Sequence, residues 1–218
     1  MDSTDLYNLF RSEIDDNAEP YLWADDEVFG FMDEAQRQFC LETEGIADAT
    51  NVDVTQIAVV PSTDWVNLHP SIIKIRDVYR LDACADSVEV INREDMPRHC
   101  LKFDGAQGPV SRLIIGMEEH KARVHPVSNE TITLQLTVFR FPLNTITDTD
   151  QALEIQPEHQ RALLLWMKHL AYSKQDAETF DKTKAAEFEQ RFLAYCQKAK
   201  LAAERKRHKP RTVAYGGI

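Results

Sequence analysis

At 218 residues, with 43% hydrophobic and 28% charged residues and only seven glycines, the chain has the composition of a soluble globular protein that buries a core without disulfide or metal staples. Its formal net charge of -11 is unevenly spread: residues 198–218 hold seven lysines and arginines against Glu204 alone, a net of +6 that leaves -17 on the rest. An acidic body of that size is the wrong sign for a general nucleic-acid binder, and no run of about 18 apolar residues is present to span a bilayer.

In chain order, residues 3–14 read as a short amphipathic helix with Leu6, Leu9, Phe10 and Ile14 on one face. Leu9 and Phe10 are open to two readings, core or docking face for a neighbouring subunit. After the turn-like DDNAEP, a second helix is expected over 25–45, with Val28, Met32, Ala35 and Phe39 at helical spacing, acidic residues at its start and Gly45 to close it. Ala24 stands where a Ser or Thr would complete a capping box with Glu27, which moves the expected cap to Asp25.

From about residue 52 the period changes. TQIAVV, ending at Pro61, and SIIKIRDVYRL, after His69-Pro70, read as strands, with Ile73, Ile75 and Tyr79 on one face of the second. A helical turn at 92–97, ended by Pro97, is followed by SRLIIG, KARVHPV and ETITLQLTVFRFP, and VHPVSNETITL reads as a β-hairpin. After Asp148 the helical period returns. A helix over 157–175 opens on Pro157 and is apolar around most of its circumference, which places it at the centre of the core. A last helix, 178–206, carries Phe188, Phe192, Tyr195, Ala199 and Ala202 on one side. The expected fold is α+β: an antiparallel helical bundle core within residues 1–204, an inserted β-rich region of hairpins and antiparallel sheet over 52–142, and an extended basic C-terminal docking tail, 205–218.

Chemistry has little to stand on. The phosphate-loop, dinucleotide, zincin and nucleophile-elbow motifs are all missing. Glu118, Glu119, His120 and His125 are a conceivable metal or acid/base cluster, but they sit beside a predicted hairpin, where polar residues ordinarily face water. His159 and His169 lie ten apart, which is not a same-face spacing on a helix. Cys40, Cys84, Cys100 and Cys196 are scattered without metal-ligand spacing and read as free thiols of a cytosol-like compartment. Trp23, Trp65, Trp166, Phe180, Phe188 and Phe192 read as packing residues, because no basic residues interleave them as in a base-stacking surface. No catalytic residue, metal ligand or cofactor is assigned.

The C-terminal ERKRHKPRTVAYGGI supports three readings. It is a solvated helix end, a nucleic-acid arm with salt-dependent affinity, or a partner-binding arm. For the last, Pro210 stops the helix, Arg211 to Ala214 is β-compatible, and Gly216-Gly217 allows close backbone approach.

Four segments together resemble one family. LWADDEVFGFMDEAQRQFC, with its "DEAQ" element, LHPSIIKIRDVYRL, ARVHPVSNETITLQLTVFRFP and, most closely, IQPEHQRALLLWMKHLAYSKQDAETFDKTKAAEFEQRF are similar, in that order, to the segments of phage head-to-tail adaptor proteins. The resemblance covers about residues 5–195 and departs from the pattern at Ala24 and in the long 46–70 connection. It implies a structural virion protein of the phage neck, made in the host cytoplasm, that forms a ring of copies, typically twelve, beneath the portal protein. Tail tube, nozzle or fibre proteins would attach to it, and the genomic DNA would pass through without specific binding. The tail residues Arg205, Lys206, Arg207, Lys209, Arg211 and Tyr215 are then the expected portal contacts, and Ile73, Tyr79, His125, Asn129 and Thr131 the expected contacts with neighbours or tail proteins. An acidic channel would repel DNA phosphates. A nucleic-acid-binding accessory protein using the basic tail remains the alternative.

Overall fold

The computed structural model describes residues 1–81, 86–99, 105–175 and 180–207. The chain divides into two compact units, one made of Met1–Thr43 with Asn144–Ile218 and the other of Glu44–Leu143.

The first unit is helical. Helix α1 (Ser3–Glu13) opens on a complete capping box, in which Asp2 accepts from the Asp5 N–H at 2.8 Å and Asp5 accepts from the Asp2 N–H. Helix α2 (Asp25–Thr43) has Ala24 at its cap position: the Ala24 carbonyl accepts from Val28 N–H, and Glu27 reaches back to the Ala24 N–H at 3.1 Å. The box is therefore half made, and the expected shift of the cap to Asp25 does not occur. Between these helices, the buried Arg11 guanidinium pairs with Asp16 and, at 2.7 Å, with Asp25, while lying 4.2 Å from the Tyr21 ring centroid. Asp16 in turn accepts from the Leu22 N–H, so one cation ties down the whole 15–25 turn.

The later helical stretch is broken into α4 (Pro157–Gln160) and α5 (Leu163–Ser173), because the junction tightens to three-residue hydrogen bonds from Ala162 to His159 and from Leu165 to Ala162. Asp181 caps α6 (Lys182–Arg207), accepting from the N–H groups of Thr183 and Lys184 at 3.0 Å. Trp23, Phe10, Met32, Leu163, Met167 and Phe192 are the large side chains buried among these helices.

The second unit is an eight-stranded sheet: β1 (Ile46–Asp48), β2 (Gln56–Val59), β3 (Trp65–Asn67), β4 (Ile72–Arg80), β5 (Ser87–Asn92), β6 (Arg112–Glu118), β7 (Lys121–His125) and β8 (Ile132–Arg140). A single turn, α3 (Val52–Thr55), precedes β2, and a 3-10 helix, Arg93–His99 with Pro97 inside it, follows β5. The order is β1-β8-β4-β5-β6-β7-β3, with β2 also on β8. Strand β8 is paired along both edges and buried at most positions, which suits its near-continuous apolar sequence. Gly45, at φ +93°, lets the chain enter β1 against β8: a Cβ there would sit 2.8 Å from the Arg140 carbonyl oxygen and 2.8 Å from the Ile73 Cδ1.

Three expectations are corrected here. The protein is not a helical bundle core carrying a β insertion, because the sheet curls into a half-barrel and buries an apolar cluster of its own that includes Val59, Leu113, Leu134, Leu136 and Val138. A strand whose two edges and both faces are covered needs a sheet-centred core. VHPVSNETITL is not a hairpin: β7 pairs with β6 and β3, β8 with β1, β2 and β4, and the connection runs between non-adjacent strands. The sheet is also mixed, since β5 and β6 pair in parallel from Glu89↔Arg112 to Asn92↔Ile115. The extended tail beyond Arg207 lies outside the described residues.

Candidate functional site

On the helical unit, the candidate portal-binding residues start at the end of α6. Its buried stripe, Ala185, Phe192, Cys196 and Ala199, stops before the last two turns, and Arg205 and Lys206 are exposed there with Arg207 half-buried. Lys206 Nζ sits 3.3 Å from Glu158 Oε1, and the Arg207 guanidinium donates to the Ala203 carbonyl. Glu158 begins a short chain of contacts: its carbonyl accepts from the Tyr195 hydroxyl at 3.2 Å, and that hydroxyl is 2.9 Å from His159 Nδ1. The His159 ring lies tilted against Phe39 with centroids 5.2 Å apart, and burial pulls its pKa below the ordinary value against the opposing pull of Glu158. Lys206 thus reaches α4 beside a set of contacts among Tyr195, His159 and Phe39 that joins α6, α4 and α2. Lys209, Arg211 and Tyr215 lie outside the described residues.

On the sheet unit, the candidate contact residues are not brought together. Ile73 and Tyr79 lie on β4, His125 ends β7 three strands away in the sheet order, and Asn129 and Thr131 are exposed on the connection to β8. Strand β4 does not keep Ile73, Ile75 and Tyr79 on one face. Register shifts between Ile72 and Lys74 and between Ile75 and Asp77 insert Ile73 and Arg76 as bulged residues, so Ile75, Val78 and Arg80 become the buried positions.

That bulged stretch borders a cleft of about 530 Å³ lined by β4, β5 and β6 residues together with Leu68, His120 and Lys121. Its apolar floor, Leu68, Ile72, Val90 and Ile115, went unnoticed in the sequence. These residues come from four separate segments, and only the pairing order brings them to one place.

Most other groups weighed from sequence are accounted for by packing and local ion pairs, but Phe180, expected to pack, is exposed instead. Glu118 pairs with Lys121 at 2.7 Å, and His120 lies 3.8 Å from Glu119. Among the described residues no group of three or more His, Cys, Asp or Glu side chains could hold a metal ion. Trp23 packs edge-on against Phe10 and Tyr172, Trp166 lies tilted against Phe192, and Phe188 stacks on Tyr172 at 5.9 Å. Cys40 and Cys196 are buried free thiols, and burial pushes Cys196 up to about 12. Cys84 and Cys100 lie outside the described residues. No described helix is long and apolar enough to cross a membrane.

The DEAQ element has a specific task. Asp33 accepts from the Ile146 N–H at 3.3 Å, Ala35 is fully buried, and Gln36, also fully buried, accepts from the Glu154 N–H at 3.1 Å. From the other side Gln160 donates to the Ile155 carbonyl at 2.8 Å. Two glutamines on different helices therefore grip the irregular 144–156 segment by its backbone at Glu154 and Ile155, next to the buried Leu153 and Ile155 side chains. A family model matches along nearly the whole chain: that of the SU10 adaptor protein family covers residues 1–214. The chain belongs to the SU10 adaptor protein family. Membership gives this SU10-type adaptor a structural role in a phage, as a viral neck component that works with other neck proteins. No curated protein matches the chain.

Proposed function

We propose that this adaptor forms a ring of copies, twelve in the typical case, at the phage neck, binds the portal protein through its basic C-terminal arm and serves as the platform for tail tube, nozzle or fibre proteins. The observation that carries the reading is the family match over residues 1–214. The charge division supports it: -17 on residues 1–197 around a channel would repel DNA phosphates and let the genome slide, while the +6 end is suited to a protein partner. Portal contact is assigned to Arg205, Lys206 and Arg207 at the end of α6 and to Lys209, Arg211 and Tyr215 beyond it. Neighbour or tail-protein contacts are assigned to Ile73, Tyr79, His125, Asn129 and Thr131.

Truncation tests the arm. A chain ending at Glu204 loses the exposed Lys206–Glu158 pair, worth about 0–1 kcal/mol, and the local Arg207–Ala203 hydrogen bond, and should stay folded. It should fail to co-sediment with portal rings, and normal attachment would overturn the assignment. The basic arm also favours a second reading, a nucleic-acid-binding accessory protein. Filter binding separates the two: the adaptor retains little DNA even at low salt, whereas an arm that neutralises phosphates retains DNA at low salt and loses it steeply as salt rises.

A further inference from the structure

The core of the sheet is left partly open at one place. Leu68, Ile72, Val90 and Ile115 pack against the buried cluster yet remain half-buried, and all four line the 530 Å³ cleft. Beside them β5 pairs only with Val78 and Tyr79 of β4, so the outer edge of β4 from Ile72 to Asp77 has no strand partner among the described residues. An unpaired edge next to an apolar floor accepts an extended segment: backbone groups pair with the edge and alternate side chains fill the floor.

The charges around the cleft argue for an uncharged occupant. Lys74 lies 3.5 Å from Glu44, Arg76 3.2 Å from Asp77 and Lys121 2.7 Å from Glu118, so each lining cation already faces a carboxylate. The chain itself carries a segment of the required kind. Thr212–Ile218 has no charged side chain, places Val213 and Tyr215 on one side of a strand, and includes Gly216-Gly217 where two backbones can approach. It follows Pro210, a residue type that disfavours helix, and eleven residues after Arg207 would span up to about 36–40 Å if extended.

We propose that the β4 cleft is a strand-acceptor site and that its occupant in the free adaptor is the Thr212–Ile218 segment of a second copy. The inference rests on the ring-forming reading and adds to it: the arm has a berth on its own kind before the portal withdraws it. Self-association then depends on a donor half and an acceptor half that can be disabled separately.

Sedimentation velocity of the full-length protein over a concentration series provides the test. The wild type should associate. Ile115→Asp, which puts a charge on the cleft floor, and the double variant Val213→Asp/Tyr215→Asp, which spoils the donor, should each shift the midpoint concentration at least about 10-fold, the effect of roughly 1.4 kcal/mol. An equimolar mixture of the two variants should associate again, since one retains its donor and the other its cleft, and an unchanged thermal unfolding midpoint of Ile115→Asp shows that the acceptor variant is folded. A wild type that stays monomeric, variants that associate as the wild type does, or a mixture without rescue would overturn the proposal. Portal co-sedimentation of the same proteins is read separately, so a monomeric protein that still docks on the portal sinks this inference and leaves the adaptor reading standing.

Discussion

Arg140 Nε lies 2.6 Å from Asp48 Oδ2, joining the end of β8 to the end of β1 across 92 residues of sequence. The second Asp48 oxygen accepts from the N–H groups of Thr50 and Asn51 at 3.0 and 3.1 Å, so the carboxylate that holds the arginine also shapes the turn into α3. Asp48 is only 8% exposed, and removing it would take this ion pair from a guanidinium that is itself buried. Asp48→Ala should therefore destabilise the protein by about 3–5 kcal/mol in urea unfolding, whereas loss of an exposed pair such as Lys121–Glu118 by Glu118→Ala should cost about 0–1 kcal/mol.

The same carboxylate sets an acid response. Burial alone would raise its pKa, but the Arg140 hydrogen bond and the two backbone donors outweigh burial and hold it at about 2, below the ordinary 3.8. A folded-state pKa below the unfolded one gives stability that is present above about pH 4 and lost as pH falls through about 2, amounting to roughly 2 kcal/mol. In Asp48→Asn the pH dependence of unfolding across that window should be flatter by about that amount, and an unchanged slope would show that the pair does not lower the pKa.

His159 titrates in the opposite surroundings to an exposed histidine. Its pKa is depressed chiefly by burial, so its contribution is present above the ordinary 6.5 and is lost as pH falls through the lower folded-state value. Proton NMR of its ring should give a midpoint below 6.5, and a midpoint at or above that value would mean the Glu158 carboxylate outweighs burial.

Gln36 is the part of the DEAQ element with the most to lose. Replacing it by Met keeps the side chain's length and leaves the Glu154 N–H without its acceptor, a change expected to cost about 1–3 kcal/mol in urea unfolding. Hydrogen exchange at Glu154 should accelerate in the variant by more than exchange within α2.

Gly45→Ala tests the close approach of the chain to β8. At φ +93° and with backbone 2.8 Å from the added Cβ, it should destabilise by more than about 1 kcal/mol, while Gly30→Ala, in an open helical position, should be neutral or stabilising by up to about 1 kcal/mol. A mild effect at Gly45 would mean that the 44–45 connection shifts without cost.

What could be read from the sequence, and what could not, divides along the range of the interactions involved. Asp25, Asp26 and Glu27 mark the start of α2, Pro157 that of α4, and the β-branched runs mark β4 and β8, because helix ends and strand periodicity depend on residues a few positions apart. The order of four moderate motifs along the chain was enough to point to the adaptor family. Strand partners were beyond reach. VHPVSNETITL has the turn residues and apolar flanks of a hairpin, yet β7 and β8 pair elsewhere, since pairing is decided by which apolar faces can be buried together. The bulges at Ile73 and Arg76 likewise reassign the face of β4 by responding to β8. The half-buried floor of Leu68, Ile72, Val90 and Ile115 exists only once the sheet has curled. Local periodicity determined the elements and their order; the competition among strands for edges and for a shared core decided how they came together.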